Sequence, residues 1–305
     1  MIVLRIFRSA CRHTLAAPAL VMTLYGVNLL LALPAFSVAR SALKAALGNS
    51  LAGESLLAGF DYSVWLDLTG PRNTLIGTLL PLAASMAVLS VVMHTFLAGG
   101  VLDLLAREKR FSTPSFFRAC GTYLGRFFRI WILTAAVLLL AAVLFGTFLS
   151  TIIDIVNAQS GSEQTTGIAL VVSLILFSFP VLLIFMASDY ARIYTVVGNG
   201  RSSWKALGRG FQFLFRNPGA TLGLHLLLLL LLCVAVALYL FVEGVIDVDP
   251  GAAILLLVLL QQLFMVARAG IRVAFSAGEV ALYDERKPRP VVFYGWDDSP
   301  PRREP

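Results

Sequence analysis

Six long apolar runs alternate with polar segments along the chain: Thr14–Ala39, Asn73–Leu102, Ile130–Ile153, Gln164–Ser188, Asn217–Val242 and Pro250–Ala267. None of the six holds an Asp, Glu, Lys or Arg. A helix needs about 20 residues to cross a hydrocarbon layer of roughly 30 Å. In lipid every backbone polar group must be paired, and a helix pairs its own. The pattern therefore predicts an all-α polytopic membrane helix bundle, with six transmembrane spans at about 14–39, 74–98, 130–152, 167–188, 219–242 and 251–271. The spans fill one transmembrane domain, residues 1–287, followed by a Pro-rich tail over 288–305. The first run is longer than the apolar part of a secretory signal and five more follow, so it is expected to remain as the first helix.

The stretches just ahead of the odd-numbered runs have helical period. In the first, Val3, Leu4, Phe7 and Cys11 share a face and Arg5, Arg8 and Arg12 share the opposite one. In the second, Phe116, Cys120, Tyr123 and Phe127 form the apolar face, while Arg118, Thr122 and Arg126 recur every four residues. In the third, Trp204, Leu207, Phe211 and Leu214 oppose Lys205, Arg209, Gln212 and Arg216. Such stretches predict basic interfacial helices. Their apolar side chains sink into the acyl boundary, and Arg and Lys meet anionic headgroups. Arg5, Arg8, Arg12, Arg118, Arg126, Lys205, Arg209 and Arg216 are the candidate anionic-lipid contacts. Ser112-Thr113-Pro114 and Ser202-Ser203 supply hydroxyl caps for the second and third helices, and the first of these adds a proline suited to an opening turn. The chain reads as three hairpins, each introduced by one interfacial helix. Shifting the second unit by 90 positions lays Ser112 on Ser202 and Arg126 on Arg216, the mark of a structural repeat.

Composition and charge sharpen this picture. An apolar content of 58%, a charged content of 13% and a mean hydropathy of +0.85 exclude an ordinary soluble fold. Twenty-one of the 24 Lys and Arg residues fall on one side of the spans, and only Arg40, Lys44 and Arg72 fall on the other. By the positive-inside rule both termini are expected in the cytoplasm. The net charge of +7 is then an orientation signal and implies no nucleic-acid partner. Glu54, Asp61, Asp67, Asp154, Glu163, Glu243, Asp247 and Asp249 lie on the opposite side, as a mildly acidic solvated face.

Polar groups inside the bilayer are costly, so they nominate the site. Gln261 and Gln262 lie near the middle of the sixth span. Gln261 precedes Arg268 by seven residues and Arg272 follows by four more, which puts the three on one helical face. Asp189 and Arg192 end the fourth span three residues apart, and Asp189 is expected to cluster with Arg268 or Arg272, with Glu279 as an extension. His225 lies about six residues inside the fifth span. The candidate site is thus Asp189, Arg192, His225, Gln261, Gln262, Arg268 and Arg272. It serves either as interhelical glue or as a substrate or lipid-headgroup pocket opening to the cytoplasm. Asn28 and His94 are, with His225, the other polar candidates, a lone histidine being more often a packing residue. With His13 the chain has only three histidines, too scattered for a metal constellation. No HExxH, GxSxG, Walker A or CxxC motif is present, and neither a catalytic residue nor a cofactor is expected. Cys11 and Cys120 sit at the expected cytoplasmic interface, either as small apolar residues or as acylation sites, and Cys233 lies within a span. No disulfide is expected.

Outside the spans, Ala39–Leu57 has the pattern of a surface helix, and Phe60-Asp61-Tyr62-Ser63-Val64-Trp65 reads as an aromatic return to the interface. Ser276–Lys287 predicts a short helix that Pro288-Arg289-Pro290 ends. The strip Val291–Trp296 then either folds back on the bundle or adds to a partner's sheet edge.

The segment Ala187-Ser188-Asp189-Tyr190-Ala191-Arg192, followed by Ser202–Arg216 and Asn217-Pro218-Gly219, sets an acid-x-x-basic span end before a surface helix and a new span. In this the chain resembles the uncharacterised six-span bacterial membrane proteins that include the membrane domain attached to some glycerophosphodiester phosphodiesterases. The resemblance implies a multi-pass protein of the bacterial cytoplasmic (inner) membrane and supplies no catalytic residues. The expected role is a non-enzymatic accessory or scaffold subunit in contact with the lipid bilayer and with membrane-protein partners. The second reading is a transporter or lipid-handling protein with a polar intramembrane site.

Overall fold

Two prolines open helices, and three others, Pro34, Pro81 and Pro180, lie inside them. The structure, a computed structural model, describes residues 2–48, 62–70, 75–160, 163–198, 200, 202–246 and 252–287. Among these residues nine helices form: α1 (Ile2–Ala16), α2 (Pro18–Leu47), α3 (Tyr62–Thr69), α4 (Leu75–Ala106), α5 (Thr113–Ser160), α6 (Glu163–Val197), α7 (Ser203–Arg216), α8 (Pro218–Val245) and α9 (Ala252–Arg286). Pro18 opens α2 and Pro218 opens α8. A proline has no N–H to give and clashes with the preceding turn, so at these two points the amphipathic stretch and the span become separate helices. No proline lies between Ser115 and Ser160. There the expected interfacial helix and the third span are one element, α5, whose 48 residues run about 72 Å. The second interfacial helix is therefore the basic end of a span, not a separate unit.

Six of the described helices, α2, α4, α5, α6, α8 and α9, are long and apolar enough to cross a membrane. The chain is a polytopic membrane protein. Several boundaries differ from expectation. The first span continues as helix to Leu47, because nothing in Ala39–Leu47 breaks it; the remainder of the expected surface helix lies outside the described residues. Tyr62–Thr69 of the expected aromatic return is a helix, and Phe60 and Asp61 are outside the described residues. Ser276–Arg286 is the uninterrupted last part of α9. The strip Val291–Trp296 and the rest of the tail lie outside the described residues.

α2 packs on α4, α5 on α6 and α8 on α9, but α4 also packs along α5, so the pairs are not isolated units. α9 touches α1, α2, α4, α6 and α8 and is the hub of the bundle. The three apolar clusters all lie at the basic end, around Phe127, Tyr190 and Leu282, around Leu20 and Cys120, and around Met186 and Leu214. Towards the far end the spans expose Leu139, Leu144, Phe148, Ile175, Phe241 and Leu255. Lipid tails are as apolar as these side chains, so no hydrophobic force draws the far ends together. Stacked rings link neighbours there, Phe145 on Phe177 at 4.2 Å and Tyr239 on Phe264 at 4.8 Å.

The amphipathic helices bury their apolar faces in protein as well as lipid. Phe116, Cys120, Tyr123 and Phe127 of α5 are all buried, as their spacing predicts. In α1 the buried residues are Ile6 and Ala10, with Leu4 exposed. In α7 they are Ala206, Leu207, Gly210, Phe213 and Leu214, while Trp204 stays exposed. The face of α7 is thus rotated from the expected one, because Gly210 lets the helix lie directly on α6. Gly100 does the same for α4 and α5: a Cβ there would stand 2.6 Å from Cys120 Sγ and from the Phe116 ring.

Candidate functional site

The best-formed polar site is a cavity of about 200 Å³ in the basic half of the bundle, walled by α2, α4, α6 and α9. Asn28, His94, Asp189, Arg192, Arg272 and Glu279 supply its polar lining. Leu24, Leu97, Val101 and Phe275 supply the apolar part. α6 continues past Ser188 as helix, and this carries Asp189 and Arg192 side by side into the wall. α9 contributes Arg272 and Glu279, seven residues or two turns apart.

The charges are only partly matched. Asp189 Oδ1 accepts from Arg192 Nη1 at 3.3 Å. Arg192 Nε, which is buried, has no partner. Arg272 Nη1 lies against the His94 ring, 2.5 Å from Nδ1 and 3.0 Å from Nε2, and makes no ion pair with a carboxylate among the described residues. Glu279 is 8% exposed and makes no hydrogen bond or ion pair among the described residues. Buried polar groups normally find a partner, and an unmatched buried charge is strongly unfavourable. Unmet donors and acceptors around one cavity mark a place where water or a ligand completes the network.

Of the expected site, the structure brings Asp189, Arg192 and Arg272 together with Glu279. Arg268 is exposed one turn from Arg272, without a carboxylate partner among the described residues, and Asp189 bonds to Arg192 instead of to either of them. His225 lies off the cavity, edge-on to Phe275 at 5.3 Å, with a buried Nδ1 that has no partner. The glutamines separate from the cluster. Gln262 Oε1 accepts from Tyr25 Oη at 2.8 Å, which ties α9 to α2, whereas Gln261 is exposed. Facing α2 is a matter of one residue, or about 100° around the helix. Gln262→Leu is expected to cost about 0.6–2 kcal/mol, read as a lowered unfolding temperature in detergent, and Gln261→Leu to cost nothing measurable. An equal loss in both variants would argue against the Tyr25 bond.

His94 and Asn28, further polar candidates in the sequence, both line the cavity. Their signal was only that each is polar within a run of apolar neighbours. A second buried polar link, Thr134 Oγ1 to Ser188 Oγ at 3.1 Å, pins α5 to α6 beside Asp189.

The candidate headgroup contacts are distributed as a fringe around the basic end. Arg5 pairs with Glu285 of α9. With Arg8, Arg12, Leu4 and Ser9 it lines a shallow groove on α1. Arg118, Lys205, Arg209 and Arg216 are exposed, with Arg209 donating to Gln212 at 3.0 Å, and Arg126 is half-buried. Cys120 is fully buried against α4, which leaves no room for acylation. Cys11 is half-buried, and that burial pushes its thiol above the ordinary value, away from the reactive thiolate. Among the described residues no group of His, Cys, Asp and Glu is placed to hold a metal ion. No protein-family model, curated protein or solved structure matches this chain.

Proposed function

We propose that this polytopic membrane protein is a lipid-handling protein of the bacterial cytoplasmic membrane that receives a lipid headgroup in the cavity between α2, α4, α6 and α9. The observation that carries this reading is Glu279, a carboxylate without a partner facing a cavity that also holds Arg272 and Arg192. A scaffold subunit would be served best by a dry, closely packed bundle. Charged groups inside a membrane protein are expensive to keep and are held where they meet a substrate or ion. Further support comes from the basic fringe of Arg8, Arg12, Arg118, Lys205 and Arg209, which attracts anionic headgroups to the same end of the bundle. The resemblance to six-span bacterial membrane proteins, carried by Ala187–Arg192 and Ser202–Gly219, belongs to this proposal.

The orientation follows from the segregation of Lys and Arg: both termini lie in the cytoplasm. The cavity, at the basic end, then sits in the inner leaflet.

Purification in a mild detergent, followed by mass spectrometry of what stays bound, tests the function. A phospholipid at one equivalent per chain is the expected result. A lipid-free chain that co-purifies with a constant protein subunit would return the scaffold reading to first place. Reporter fusions at each terminus test the orientation, and an extracytoplasmic signal from either would refute it.

A further inference from the structure

Resting on the lipid-handling reading, we infer that the cavity selects a zwitterion, a ligand with an anionic phosphate and a primary ammonium group, by seating the two charges on one face of α9. Arg272 and Glu279, which both line the cavity, stand seven residues or about two turns apart on that face, and Arg268, one turn before Arg272, lies outside the lining. Arg268 and Arg272 are both exposed, and neither meets a carboxylate among the described residues. Glu279 is nearly sealed from the surface and meets no cation within ion-pair distance. The neighbouring charges of α6 answer each other, since Asp189 pairs with Arg192.

This arrangement discriminates. A purely anionic ligand answers Arg272 but leaves the Glu279 carboxyl without a partner. A purely cationic ligand answers Glu279 but leaves the Arg272 guanidinium without an anion. A phosphate that accepts from Arg272, with an ammonium beside Glu279 on the same cavity wall, satisfies both ends. His94, also in the cavity wall, supports the anion end by holding Arg272. An aminophospholipid headgroup and a free amino phosphate share this chemistry.

The test uses the full chain purified in a neutral maltoside detergent. Binding of three probes is titrated through tryptophan fluorescence: dioctanoyl phosphatidylethanolamine, dioctanoyl phosphatidylglycerol and free phosphoethanolamine. The ethanolamine lipid is expected to bind about tenfold more tightly than the glycerol lipid, the scale of one charge-assisted hydrogen bond. Glu279→Gln is expected to remove that preference by weakening the ethanolamine lipid alone, and Arg272→Gln to weaken both lipids. Equal binding of the two lipids to the wild-type chain overturns the zwitterion inference and leaves the headgroup reading standing. Tight binding of free phosphoethanolamine, with neither lipid bound, keeps the zwitterion seat and removes the lipid reading. Binding of none of the three removes both. A preference that survives Glu279→Gln refutes the role given to Glu279. Should that variant not fold, the wild-type comparison decides alone.

Discussion

Gly210→Ala is expected to lower the stability of the bundle by about 3 kcal/mol or more, the upper end of what overpacking a tight interface costs. α7 crosses α6 so closely at this point that a Cβ on residue 210 would fall on the carbonyl oxygen of Ala187 and 3.0 Å from the amide nitrogen of Ala191. Both are backbone atoms of a helix and cannot turn aside as a flexible side chain does. The helices must separate, and separation opens the packing of Leu207, Phe213 and Leu214 against α6. Gly208 is the internal control. It lies in the same helix, is exposed and has nothing within 4 Å of its Cβ position. Gly208→Ala is expected to stabilise by about 0.5–1 kcal/mol through helix propensity alone. Unfolding temperatures of the two variants in one detergent provide the measurement. Matching temperatures would show that the α6–α7 contact does not hold the basic end together.

Arg192→Met is expected to destabilise the chain by about 1–3 kcal/mol, less than the loss for a fully buried ion pair because this one is partly exposed. The pair lies within α6, and both of its members line the cavity. Without the guanidinium, the carboxylates of Asp189 and Glu279 share one cavity with no cation of α6 to answer them. Asp189→Asn added to Arg192→Met removes half of that conflict and is expected to recover most of the loss. The double-mutant cycle reads the coupling directly, and residues in one charged network normally couple by at least about 0.5 kcal/mol. Strict additivity would place the two charges in separate environments and take away the electrostatic account of the cavity.

The six spans were legible because lipid imposes one simple rule: an uncharged run long enough to cross must be helical. The Asp189–Arg192 pair was legible for a similar reason, since three residues on a helix bring two side chains together whatever surrounds them. Arg272 and Glu279 line the same cavity, but the bond expected from Asp189 to Arg268 or Arg272 goes to Arg192. The glutamines show where such reasoning ends. Seven-residue spacing sets Gln261 on nearly the same face as Arg268, with a drift of about 20°. Which face of α9 meets Tyr25 depends on how α2 leans across it, and Gln262 holds that place. The partner of His94 was not legible for the same reason, because it is Arg272, 178 residues away.

Local chemistry alone determined the number of spans, their side-by-side basic and apolar ends, the helix starts at Ser202 and Pro218, and the split of α1 from α2 at Pro18. These depend on interactions within a few residues, or on the contrast between hydrocarbon and water. Tertiary structure decided the rest: that α5 runs unbroken through the interface, that α7 turns its glycine face to α6, and that Glu279 ends up buried without a partner while Arg268 and Arg272 stay exposed. Those outcomes turn on which helix covers which face. In lipid, where apolar surface has little reason to prefer one apolar neighbour over another, close steric fit and a few polar contacts make that choice.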